Sequence, residues 1–196
     1  MTIQRSFVPA AVVFATALAL LSVSMDPAAQ TLGEPERFSA SAVDSNTGWT
    51  GRVEITVNRW STPGEREVLV STLIKEGSKD LLEKLRDMKA VGRIYTAGSV
   101  GYELRFSDQQ KLPDGGRSIV LAADRPMSFR ELVNQTRSTD FPFTWVQLNM
   151  RADGTGEGTL AVAARVFADR PNRPIEVENF ALQPIRLLSI TSSRKK

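Results

Sequence analysis

The chain of 196 residues contains no cysteine and no histidine. Without cysteine there is no disulfide, no thiol nucleophile, no thiolate zinc site and no attachment point for the lipid of a lipoprotein. Without histidine the Ser-His-Asp and Cys-His catalytic arrangements, imidazole metal sites and histidine-held haem are excluded as well. What remains open to an enzyme is carboxylate pairs, Ser-Lys or Tyr arrangements, and hard cations on oxygen ligands. The short motifs of those chemistries are missing too. No Gly-x-Ser-x-Gly elbow, Walker A loop or Gly-x-Gly-x-x-Gly element follows a strand, and the helical segments hold no Ser-x-x-Lys. No metal and no cofactor is expected.

An excess of one charge is also nearly absent. The formal net charge is +3, and Arg194, Lys195 and Lys196 at the C-terminal end account for it. Lysine and arginine otherwise alternate with aspartate and glutamate, without the basic stripe of a nucleic-acid binder, so no nucleic-acid partner is expected. The hydrophobic fraction of 41% and the charged fraction of 24% are those of an ordinary globular domain. About 166 residues after a leader suffice for a core without staples.

The long apolar run is at the N-terminus. Arg5 precedes an apolar stretch from Phe7 to Val23, and Ser22-Val23-Ser24 offers small residues for cleavage. Residues 1–24 are therefore expected to be a signal peptide, cut near 24–30 and leaving no membrane span. Residues 25–37 read as a linker, 38–192 as a single β-rich domain, and 193–196 as a basic tail. The expected location is the periplasm or outside the cell.

Within the domain, apolar and polar residues alternate with period two. Val53, Ile55 and Val57 face one way, and Arg52, Glu54 and Thr56 the other. Thr62-Pro63-Gly64-Glu65 is a helix start with a capping box. Leu69, Val70, Leu73 and Ile74 form one helical face, Gly77 stops the helix, and Ser78 is placed to cap a second one presenting Leu81, Leu82, Leu85 and Met88. After Gly92 the pattern is strands: Arg93 to Thr96, Gly101 to Gln109 with Tyr102, Leu104 and Phe106 on one face, Ser118 to Ala123, Phe143 to Met150, Leu160 to Val166, Ile175 to Phe180 and Ile185 to Ile190. Turn chemistry at Leu112-Pro113-Asp114-Gly115-Gly116 and at Asp153-Gly154 joins neighbours. The expected fold is α+β and mainly antiparallel: 8–9 strands in a rolled sheet, barrel or sandwich, with an αα-hairpin inserted at about residues 63–88.

Candidate site residues gather in the long connection between Asp124 and Phe143. If there is catalysis, Asp124, Glu131 and Asp140 are the acids to carry it, as a carboxylate pair across a cleft. Arg125, Arg130 and Arg137 are candidate ligand contacts, and so are Trp60 and Trp145, which with Trp49 can line a barrel cavity or fill its core. Ser128 and Glu131 can equally form a second capping box, and the arginines can pair with nearby acids.

Arg59-Trp60-Ser61-Thr62, Leu112-Pro113-Asp114-Gly115-Gly116-Arg117 with Ile119-Val120-Leu121-Ala122, Asp124-Arg125-Pro126, and Arg137-Ser138-Thr139-Asp140 with Pro142-Phe143-Thr144 resemble segments of a family of exported bacterial proteins. The resemblance covers most of Gly51 to Pro184. That family has no assigned activity, so the resemblance implies export and a single domain and assigns no role to any residue. The function expected from all this is a non-catalytic exported domain that binds a small apolar or amphipathic molecule inside a barrel, or an envelope protein on its sheet face. The alternative is a carboxylate-based hydrolase of polysaccharide or another envelope polymer.

Overall fold

Strands β1 (Glu36–Val43) and β2 (Thr50–Val57) pair antiparallel, and their alternation decides which side chains go inward. Phe38, Ala40 and Ala42 of β1 and Val53, Ile55 and Val57 of β2 are all at most 6% exposed. The computed structural model describes residues 33–127, 140–168, 175–181 and 183–194. The expected signal peptide, residues 128–139 and the last two lysines lie outside the described residues. Leu32–Lys196 forms one compact unit. No described helix is long and apolar enough to cross a membrane.

After β2 the chain enters α1 (Pro63–Lys75) and α2 (Ser78–Asp87). The capping box forms as the residue pattern requires. Thr62 Oγ1 accepts from the Glu65 amide at 3.2 Å, and Glu65 Oε2 accepts from the Thr62 amide at 2.8 Å. Gly77, at φ 96°, ends α1 in a conformation that glycine takes without strain. It is also the cap of α2, in place of Ser78: its carbonyl accepts from the Leu81 amide at 3.1 Å, so Ser78 is already helical and caps nothing with its side chain.

The remaining strands are β3 (Gly92–Thr96), β4 (Tyr102–Leu104), β5 (Phe106–Lys111), β6 (Arg117–Ala123), β7 (Phe143–Met150), β8 (Thr155–Phe167), β9 (Glu176–Asn179) and β10 (Ile185–Arg194). All pairings are antiparallel, in the order β4-β3-β2-β1-β10-β8-β7-β6-β5, with β9 on β8. The sheet curls into a nearly closed barrel whose two edges, β4 and β5, are consecutive in the chain. Arg105 sits at the seam, its amide bonded to the Ala122 carbonyl at 2.8 Å. Ser107 closes the other side: its carbonyl accepts from the Ser61 amide at 3.0 Å, and its hydroxyl donates to the Arg59 carbonyl at 3.1 Å.

The break at Arg105 explains two departures from the sequence pattern. Gly101 to Gln109 was expected as one strand, and it is two, which makes ten strands among the described residues. Leu104 and Phe106 therefore do not share a face. Leu104 is in the barrel interior, whereas Phe106 packs on the outer side of the sheet.

That outer side is covered over β6, β7 and β8. Leu69, Leu73, Leu81 and Leu85 of the helices meet Ala122, Phe143, Ala161, Ala164 and Val166 there. Irregular pairing between Phe143 and Trp145 against β8 shifts the register, so Leu160 and Val162 point inward while Ala164 and Val166 point to the helices. A second irregularity, in β10, holds Ser189 at φ 49°. Each fully buried Leu, Ile, Val or Phe contributes about 1.5–3 kcal/mol, so the two faces of β6 to β8 both stabilise the fold.

Candidate functional site

Two of the three carboxylates singled out in the sequence, Asp124 and Asp140, lie near strand ends. Asp124 follows β6 with its side chain 15% exposed, and its Oδ2 lies 3.4 Å from Arg105 Nε. Arg105 also contacts Glu103 at 3.0 Å and donates to the Met88 carbonyl at 3.0 Å, and Glu103 reaches Arg93 at 3.3 Å. Asp124 thus ends a chain of alternating charges along the barrel seam, and its partner is a cation. Asp140 is exposed and makes no ion pair among the described residues. Glu131, Arg130 and Arg137 lie outside the described residues. The Arg125 guanidinium stands over the Tyr102 ring, 5.4 Å from its centroid.

A general acid needs a carboxyl whose pKa is raised. The displaced carboxyls among the described residues are all lowered. Burial alone would raise Asp44, but hydrogen bonds from Thr47 and Asn46 outweigh it and hold it below the usual range. Glu65 is lowered first by its hydrogen bonds from Arg59, then by those from Thr62, against the opposing effect of burial. Asp153 is lowered by the Thr155 hydroxyl and amide, which fold its loop into a tight turn. No group of three or more acidic side chains that could hold a metal ion occurs among the described residues.

The tryptophans do not share a cavity. Trp60 is 4% exposed in the interior and donates from Nε1 to the Glu34 carbonyl at 3.1 Å. Trp49 packs against the same interior cluster, while Trp145 packs on the opposite side of the sheet with the helices. The interior itself is occupied by side chains: Phe38, Ile55, Ile94, Leu104, Ile119, Leu121, Met127, Leu148, Leu160 and Leu187 are each at most 1% exposed, so no water-sized space lies against them.

One concavity lies at the end of the barrel where β1 starts and β2 and β10 end. It holds about 400 Å³ and is lined by Pro35, Glu36, Arg37, Thr56, Val57, Asn58 and Ser193. Glu36 points inward with its side chain 1% exposed, and Arg117 of β6 grips both its oxygens while donating to Gln109 Oε1 at 2.9 Å. β1 and β6 are not neighbours in the sheet, so this pair spans the barrel.

Arg37 has Thr56 directly across on one side and Ser193 on the other. The sequence reading missed this place because it gave residues 25–37 to a linker and 193–196 to a tail. In fact β1 begins at Glu36 and β10 continues to Arg194. The alternation Glu36, Phe38, Ala40, Ala42 carries the signal, with a glutamate at an inward position.

No protein-family model, curated protein or solved structure matches the chain.

Proposed function

We propose that this chain is an exported, non-catalytic binding domain that holds a protein partner of the cell envelope on the outside of its barrel. The observation that carries the reading is the filled interior, which leaves the described core residues without room for a guest of even water size. Binding is then a matter of the surface.

The two described helices cover β6 to β8, and the outer face of β10, β1, β2 and β3 carries neither. Across that face run Arg186, Ser41, Arg52 and Thr191, all exposed, with Tyr95 on β3 at 36% exposure. At the turn after β3, Val100 is 92% exposed. Tyrosine and arginine are residue types that anchor interfaces, and the exposed Val100 tip adds apolar area beside them. The N-terminal sequence layout supports export, which belongs to the same proposal.

The test is cross-linking in the intact envelope followed by mass spectrometry, with the wild type and a Tyr95→Ala, Val100→Asp variant compared at equal abundance. A defined protein cross-linked to β1, β2 or β3 and lost in the variant supports the reading. Cross-links that are only to itself, or that the variant leaves unchanged, refute it.

A further inference from the structure

We propose that the groove at the β1, β2 and β10 end of the barrel binds a small hydroxylated molecule carrying one oxyanion, either a carboxylate or a phosphate. This site is separate from the partner-binding anchors at Tyr95 and Val100 and does not depend on them.

The chemistry follows from what the groove leaves unused. Arg37 makes no ion pair, and the side chains of Thr56, Asn58 and Ser193 make no hydrogen bond, among the described residues. Just behind them the opposite holds: Glu36, Arg117, Gln109 and Trp60 all have partners. The Glu36 carboxylate is neutralised by Arg117, so Arg37 is the uncompensated charge of the lining and makes the groove cationic. Glu34, exposed one residue before Pro35, is not part of the lining.

Geometry concentrates these groups. Arg37 stands in register with Thr56 and with Ser193, so the three come from adjacent strands. Directly opposed side chains on paired strands have Cβ atoms about 4.5–5.5 Å apart, within reach of one small molecule. A guanidinium fork can grip both oxygens of a carboxylate or phosphate, while two hydroxyls and an amide can bond sugar-like hydroxyls. The volume of about 400 Å³ suits a monosaccharide-sized guest. The donors stand on or directly beside paired strands, which hold them in place before the ligand arrives. A simple cation has no free carboxylate to bind there, and an apolar guest would leave the polar rim desolvated.

The test is a titration of the full chain, isotope-labelled for amide NMR, at low salt. The probes are inorganic phosphate, a hexose phosphate, a uronic acid and the neutral hexose. Saturable shifts are expected at the Arg37, Thr56, Asn58 and Ser193 amides with one of the charged sugars, tighter than with inorganic phosphate. Whether the phosphate or the carboxylate sugar wins tells which oxyanion the site takes.

Arg37→Gln, an exposed change that should leave the other amides in place, is expected to weaken binding at least about tenfold, as loss of a charge-assisted hydrogen bond implies. Arg37→Lys should recover part of it. The proposal is overturned if no charged probe gives saturable shifts at these amides up to about 20 mM. It is equally overturned if the neutral hexose binds as well as the charged sugars, or if Arg37→Gln binds as well as the wild type.

Discussion

Replacing Arg117 by methionine should destabilise the fold by about 3–5 kcal/mol, because it leaves the Glu36 carboxylate buried without its cation. Glu36 has a side chain only 1% exposed, and Arg117, itself 15% exposed, is its one ion-pair partner among the described residues. Methionine keeps much of the aliphatic volume, so the cost comes from the uncompensated charge and from the hydrogen bond lost at Gln109. In a domain of this size each kcal/mol moves the melting temperature by roughly 2–4 °C, so a fall of about 6–20 °C is expected.

The control is Glu36→Leu combined with Arg117→Met, which removes both charges together. It should recover most of the loss, since a buried pair exchanged for apolar residues is often neutral or stabilising. Urea denaturation of the wild type, the single variant and the double variant measures all three free energies, provided the slopes agree. The reasoning fails if Arg117→Met costs less than about 1 kcal/mol, or if the double variant is as unstable as the single one.

Further expectations are open to the same assays. Gly92→Ala would put a Cβ 2.0 Å from the Thr56 carbonyl oxygen on the neighbouring strand. It should cost about 1–3 kcal/mol in urea through forced backbone movement, and a neutral result would mean that β2 and β3 can spread freely. Ser189→Gly relieves a side-chain residue at φ 49°, so thermal melting should show a gain of up to about 1 kcal/mol, and a loss would count against strain there.

The folded pKa values of Asp44 and Glu65 are lowered from 3.8 and 4.5. Their stabilisation is therefore fully present above those unfolded values and is lost as pH falls through the lower folded ones. Stability measured across that acid range should decline less steeply in Asp44→Asn than in wild type. An identical pH profile would show that the turn hydrogen bonds do not depend on the charge.

Much of the architecture was legible because it depends on local rules. The capping box at Thr62 and Glu65 needs only residues three apart, and the Asp114-Gly115-Gly116 turn needs only glycine's freedom and an aspartate that accepts from the Gly116 amide at 2.9 Å. The inward sets of β1, β2 and β7 follow from strict alternation against one core. The lack of histidine and cysteine likewise settled, by composition alone, which chemistries this chain does not use.

Other features depend on what meets in space. The seam at Arg105 turns Phe106 away from Leu104, and nothing in Tyr102-Glu103-Leu104-Arg105-Phe106 marks that turn, because it is imposed by closing β4 against the end of β6. The irregular pairing in β8 reverses its faces only because helices cover one side and the barrel interior the other. Asp124 looked like a free acid until the fold brought Arg105 to it. The pairing of Glu36 with Arg117, 81 residues away, and the groove in front of it exist only once the barrel has curled. Sequence determined the helices, the turns and the faces of the regular strands through short-range periodicity, and the tertiary structure alone decided where strands break or change face and which charges are neutralised, since that is set by contacts between distant strands.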